Sequence, residues 1–422
     1  MGQTKEVKTE EIINDPGLGK YFYKFEYDTD VPPEVYIAFR NLDKEKVKKM
    51  WTHGTNSLKL QYTLTKYNIA EIVGKPRQIF FKSTRNEDVY VLRFASGDVY
   101  VPVYLIKDEE TLTEITEEIL YVKVSKKGTH IYAHEIKPLA GNSKIEIGKE
   151  LYEYTQKRGI LPLHILILAY GYIPHKNINL YLLHRVLPLF KVAGRPIHIM
   201  HFTPPATGKT SVAIRNIYTF NWAYLNEIPS APMLVMDAKT GSLGLVYRSN
   251  GITIDEFDKY GHEIRNIIDI VLTGMSHGKW GRAKGSKSTP DIVRFIPFCF
   301  MGNQIGIPLS PQYTRNHVQQ YLVHYLKFRN QEAEAFVDRV ASILLSTKHI
   351  NINEYLTNQV LPDSYFRGFV YVLNQEINKI YKEYNMYEGR KRLYYNQLYA
   401  ILTVLGLEGE YAKELVEGVN DK

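Results

Sequence analysis

The chain has 422 residues, with 53 Lys and Arg against 45 Asp and Glu, a net charge of +8 and a single cysteine. Such a length carries about two or three domains with sizeable cores, and the modest cationic excess favours phosphate-bearing partners without forming a basic tail. One cysteine excludes an internal disulfide framework and points to a reducing, cytoplasmic setting; Cys299 lies in an apolar run and reads as a core residue.

Residues 1–20 are polar and mixed in charge with no apolar segment behind them, which predicts a flexible N-terminus rather than a secretory signal. Residues 21–145 predict a β-rich or α+β domain. The runs 77–82, 88–94, 98–106 and 119–124 alternate like strands, turn signals stand at Ser96-Gly97 and Lys126-Lys127-Gly128, and a helix is expected over 43–51. No binding motif stands out in it, so gripping a substrate, scaffolding and oligomerisation stay open. Residues 146–192 predict a helical connector. Its apolar stretch 160–172 is short and interrupted by Pro162 and His164, so a buried helix and no membrane partner are expected. Residues 193–330 alternate strand and helix as in a parallel sheet with helices on both faces, whose ligand lies at the carboxyl ends of the strands. Residues 331–422 predict a helical lid and C-terminal bundle, with helices over 365–384 and 394–405.

The chemistry concentrates in the middle of the chain. The apolar run 196–202 leads into Thr203, Pro204, Pro205, Ala206, Thr207, Gly208, Lys209, Thr210 and Ser211, after which a helical pattern begins. Backbone N–H groups of such a loop, at the positive end of a helix, cradle phosphates; Lys209 reaches the β/γ-phosphates of ATP and the Thr210 hydroxyl binds Mg²⁺. Thr203 stands where the usual pattern has its first glycine. A second apolar run, 251–254, ends at Asp255 and Glu256: Asp255 is placed to hold the Mg²⁺ shell, and Glu256 to polarise an attacking water. A third strand, 291–301, ends at Gly302-Asn303, whose amide can orient that water. The competing readings are structural: a surface turn before an ordinary helix, an acidic pair after a strand, and an Asn in a turn. His198 and His201 read as core or rim residues, and the 13 histidines show no zinc spacing.

These motifs, together with Ala231–Tyr247 and Ile254–Lys259, resemble the AAA+ ATPase core of minichromosome-maintenance (MCM) helicases and, more closely, the Lon-like AAA+ proteins of BREX phage defence. The resemblance covers about residues 190 to 375 and implies an α/β P-loop NTPase core with a helical lid. It implies a homo-oligomeric ring, a hexamer, with pore hairpins that touch DNA. The matching loop is Gly274–Ser288, where Lys279, Arg282, Lys284 and Lys287 surround Trp280, a composition suited to tracking a phosphate backbone and stacking on a base. A second hairpin is expected over Val235–Val246 with Lys239 at its tip. The competing structural readings are a solvated basic loop and a plain hairpin with no ligand. The resemblance implies an arginine acting in trans, for which Arg339 is the choice and Arg315 the reserve. It also implies a lid arginine, Arg367, one turn inside a helix opened by Asp363 and directed toward phosphate.

The resulting expectation is an ATP-hydrolysing motor that translocates on or remodels DNA. Two alternatives remain: an AAA+ remodeller of polypeptides, and an assembly switch with little turnover. The abundance of tyrosine, at 33 residues, with frequent Lys, Glu and Ile, is compatible with a thermophilic archaeal source or one of its viruses or plasmids.

Overall fold

The computed structural model describes residues 15–19, 42–83, 87–106, 108–138, 141–237, 239–240, 242–281, 292–303, 314–357, 361–383 and 389–421. Two six-stranded sheets organise them.

The first sheet begins after two helices, α1 (Lys44–Thr55) and α2 (Ser57–Tyr67), and contains β1 (Ile69–Gly74), β2 (Gln78–Ser83), β3 (Asp88–Phe94), β4 (Gly97–Pro102), β5 (Leu120–Lys127) and β6 (His130–Pro138). Their order is β1-β5-β6-β4-β3-β2. Neighbours are antiparallel except β4 and β6: α3 (Glu109–Glu117) links β4 to β5, and β5, antiparallel to β6, carries the chain back so that β6 runs with β4. Four of these strands follow the alternation visible in the sequence. The expected strand over 98–106 stops at Pro102, where a 3₁₀ turn over Val103–Leu105 begins.

Three helices connect the sheets: α4 (Gly141–Arg158), α5 (Pro162–Ala169) and α6 (Lys176–Val186). All of α5 except His164 is buried, and among the described residues no helix is long and apolar enough to cross a membrane.

The second sheet contains β7 (Ile199–Phe202), β8 (Ala223–Leu225), β9 (Ile252–Ile254), β10 (Phe298–Gly302), β11 (Ser342–Ser346) and β12 (Val419–Asp421). All pairs are parallel, in the order β8-β9-β10-β7-β11-β12. Helices α7 (Lys209–Phe220), α8 (Ile268–His277), α9 (Thr314–His324) and α10 (Asn330–Val337) connect and cover it. Every residue of β7, β10 and β11 is buried, as expected of parallel strands covered on both faces. This corrects the expected end of the core at residue 330: β11 lies beyond it, and β12, at the far end of the chain, pairs with β11. The lid helices are α11 (Asp363–Glu383), α12 (Gly389–Val404) and α13 (Ala412–Glu417). In α4, a Cβ on Gly148 would stand 2.3 Å from the Gly368 carbonyl oxygen, so glycine at this crossing lets α4 lie against α11.

His184, His198 and His201 are all buried, and burial pushes the first two down to about 3 and the third well below its ordinary value. Arg185 only donates, so its contact with His201 Nε2 at 3.1 Å puts the His201 proton on Nδ1, which donates to His184 Nδ1 at 3.1 Å. These imidazoles fold neutral. Their contribution is complete above the unfolded-state value of about 6.5 and is lost as pH falls below it, at about 2 kcal/mol each for His184 and His198 between pH 7 and pH 5. Urea unfolding at the two pH values checks this.

Candidate active site

β7 ends at Phe202, and the chain turns through Thr203–Gly208 into α7. Two residues of that turn are left-handed, Ala206 at φ 62° and Gly208 at φ 75°, an arrangement that bends successive N–H groups inward to form an anion cradle. Thr203 is not among the positive-φ residues, so its backbone does not require glycine. Its N–H instead reaches Gly302 O at 3.3 Å and its hydroxyl meets Thr207 Oγ1 at 2.9 Å, which continues the strand ladder into the loop.

The Lys209 ammonium is buried and donates to Thr203 O at 2.7 Å, Gly302 O at 3.0 Å and Asn303 Oδ1 at 3.3 Å. Burial, reinforced by the Arg185 charge, lowers it to about 8, while Asp255 and Asp258 act in the opposite direction. Asn303 is fixed in turn, because its N–H donates to Asp258 Oδ1 at 3.0 Å.

Asp255 follows β9, is 7% exposed, and accepts from the Tyr224 hydroxyl at 2.8 Å. The Thr210 side chain hydrogen-bonds the same phenol. Two hard oxygen donors from different elements thus converge on one point, the donor chemistry and placement that suit a magnesium ion. Burial and Asp255 together push the phenol up to about 12. Glu256 is left-handed at φ 51°, a costly conformation for a non-glycine, and its carboxylate meets Lys259 Nζ at 2.8 Å.

Three contributors lay outside the sequence reading. Asp258 holds Asn303, and Tyr224 spans Thr210 and Asp255. Arg185, fully buried beneath the loop, donates through Nη1 to Thr207 O and through Nη2 to Thr207 Oγ1 at 3.1 Å. Beside Pro205 and Ala206 lies a cavity of about 500 Å³, walled also by Asn177, His349, Asn351 and Tyr355. Ile352 N–H donates to Ala206 O at 3.2 Å, and His175 stacks on Tyr355 at 4.9 Å, so the segment after β11 covers this side of the loop.

Several expected site residues lie elsewhere. Trp280 is 3% exposed, its indole donates to Arg294 O at 2.7 Å, and its ring fills the space where a Cβ on Gly274 would stand. It is a core residue and offers no face to a base. Trp280→Ala is accordingly expected to cost about 3–5 kcal/mol of stability, checked by denaturant unfolding. Lys279 is exposed beside it, whereas Arg282, Lys284 and Lys287 lie outside the described residues. The strand expected over 291–301 forms only over Phe298–Gly302, since Pro297 has no N–H and Arg294 turns inward to Tyr247 O and Ser249 O.

The hairpin expected over Val235–Val246 shortens to a Met236–Leu243 bridge between the helical turns Ala231–Leu234 and Leu245–Arg248. Ser242 bridges to Phe80 of β2, so this turn docks on the edge of the first sheet, with Lys239 exposed.

The three expected arginines are each tied into their own chain. Arg315 is buried and donates to Val337, Val340, Ala341 and Val416 carbonyls, so it locks helices within its own chain. Arg339, half-buried, is held by Leu272 O at 3.1 Å, Ser276 Oγ at 2.7 Å and Ala335 O at 2.5 Å, a tie between α8 and α10. Arg367 donates to Thr219 O at 3.0 Å and lies 3.4 Å from Glu118. Thr219 is at the far end of α7, roughly 15 Å along the helix from Lys209, which places Arg367 away from the phosphate loop.

A parallel sheet with β10 inserted between β7 and β9, a phosphate loop on β7 and acidic residues at the end of β9 define an AAA+ ATPase. The chain belongs to the BrxL-like family: the model described as "Lon-like protease BrxL-like, ATPase domain" matches residues 153–381. It is 39% identical over 402 residues to "Uncharacterized protein ORF425" of Acidianus filamentous virus 2 (isolate Italy/Pozzuoli), covering 91% of this chain and 94% of that protein. It is also 27% identical over 408 residues to "Uncharacterized protein ORF426" of Acidianus filamentous virus 1 (isolate United States/Yellowstone), covering 92% and 94%. To "Uncharacterized protein 440" of Sulfolobus islandicus rod-shaped virus 1 it is 26% identical over 394 residues, covering 90% and 87%. Among solved structures, a full-length MCM homolog from Methanopyrus kandleri aligns over 90% of this chain and 86% of its own, with a TM-score of 0.47 and 10% identity. Homologues in viruses of archaea accord with the compositional expectation.

Proposed function

We propose that this chain is an ATP-hydrolysing motor, assembled as a hexameric ring, that moves along or remodels DNA. The observation that carries the catalytic half is the convergence of Lys209, Asn303 and Asp258 on one side of the loop with Thr210 and Asp255 on the other. In this reading the left-handed loop and the start of α7 bind the phosphates, and Lys209 exchanges its carbonyl partners for phosphate oxygens. Thr210 and Asp255 hold Mg²⁺, which supplies neutralisation of developing phosphate charge. Asn303, set by Asp258, orients the attacking water, and Glu256 takes its proton once released from Lys259. The cavity beside Ala206 receives the nucleoside; its size is within the ordinary range for ligand sites.

DNA as the substrate rests on the net charge of +8 and on exposed Lys239 and Lys279. ATP turnover measured with and without single-stranded DNA at two salt concentrations tests it: stimulation that fades with salt is expected. Turnover indifferent to DNA but raised by unfolded polypeptide would make the protein a polypeptide remodeller. Biological function surviving in a hydrolysis-dead variant would make it an assembly switch.

A further inference from the structure

α1 and α2 are separated by a single residue, Asn56, whose side chain accepts from Lys59 N–H at 3.2 Å and caps α2. The short joint keeps the two helices together, and residues of both line a cavity of about 530 Å³. Its buried floor is fixed by His53, whose Nδ1 meets Glu71 O at 2.9 Å and whose Nε2 meets Thr63 Oγ1 at 3.1 Å. Its walls carry Lys48, Lys49, Lys59, Tyr62 and Tyr67, with Glu45 as their acidic member. Lys46, on the same hairpin, pairs with Glu71 at 4.0 Å, whereas Lys48, Lys49 and Lys59 meet no carboxylate within that distance among the described residues.

The aromatic rings are not packing groups. Tyr62 is 68% exposed, across α2 from Leu60 and Leu64, which are buried in the core of the first sheet; Tyr67, 59% exposed at the end of α2, carries Lys66 Nζ over one face of its ring at 5.1 Å. A cleft built this way pairs cations with flat, accessible rings. Phosphates satisfy the first and unstacked bases the second. In a duplex the base faces are already stacked on one another, and an acidic peptide has no use for the rings. We propose that the cleft between α1 and α2 binds single-stranded DNA, with Lys48, Lys49 and Lys59 on phosphates and Tyr62 and Tyr67 stacked on bases. This deepens the DNA reading above and names a docking site distant in sequence from the loop 274–288.

The test is fluorescence anisotropy of a labelled oligothymidylate of roughly twenty nucleotides with the full chain, without ATP, across a salt series. Joint replacement Lys48→Ala, Lys49→Ala and Lys59→Ala should flatten the slope of log affinity against log salt by about 2, since each phosphate contact on a single strand contributes about 0.7. Tyr62→Ala and Tyr67→Ala should each weaken binding by roughly tenfold with the slope unchanged, and Tyr62→Phe should restore it. All these side chains are exposed, so unaltered thermal melting should accompany each change. A triple variant that binds with the parent's affinity and slope would overturn the site while leaving DNA as substrate. Wild-type protein that binds no oligonucleotide at low salt would overturn both. Equal competition by polyglutamate would reduce the cleft to a plain cation patch and overturn the stacking role.

Discussion

Glu256→Gln should lower ATP turnover by about a hundredfold to ten-thousandfold while ATP binding persists. The isosteric amide keeps the shape of the turn after β9, including the left-handed backbone at φ 51°, but cannot accept a proton from water. The carboxylate currently lies 2.8 Å from Lys259, both groups being substantially exposed, so the pair is weak and readily exchanged. Lys259→Ala should therefore leave turnover within a few fold of the parent, which separates proton acceptance from ion pairing. Steady-state phosphate release for both variants, alongside equilibrium binding of a fluorescent ATP analogue, checks the pair.

Arg185→Ala should be the most damaging single change outside the loop, costing about 3–5 kcal/mol of stability and most of the nucleotide affinity. The guanidinium is 1% exposed, and removing it strips the Thr207 carbonyl, the Thr207 hydroxyl and His201 Nε2 of a donor at once. It also leaves a side-chain-sized void beneath the phosphate loop. Arg185→Lys should recover only part of the loss, because one ammonium cannot span the positions that a fork of donors reaches. Chemical unfolding with and without ATP measures both effects.

The phosphate loop and the acidic pair were legible in the sequence because each is local: a strand, a turn and a helix written in consecutive residues. Asn303 was legible for the same reason, at the tip of a strand. Asp258, Tyr224 and Arg185 were not, since each becomes meaningful only when the parallel order brings β8, β9 and β10 beside the loop and places α6 beneath it. Trp280 misled because a glycine- and lysine-rich neighbourhood says nothing of whether one ring turns inward; the space beside Gly274 decided that. Arg367 misled because position within a lid helix does not reveal which end of α7 the helix meets. The sheet's far edge was hidden for a topological reason: β12 pairs with a strand more than seventy residues upstream of it, beyond any local pattern.

The most direct measurement is titration of ATP into the parent protein and into Lys209→Ala, with and without Mg²⁺, followed by calorimetry. The expected result is saturable, magnesium-enhanced binding by the parent, with affinity falling by about a hundredfold or more in the variant, since a charged group bonded to phosphate is lost. Equal affinity in the two proteins, or no heat of binding in the parent, would contradict it.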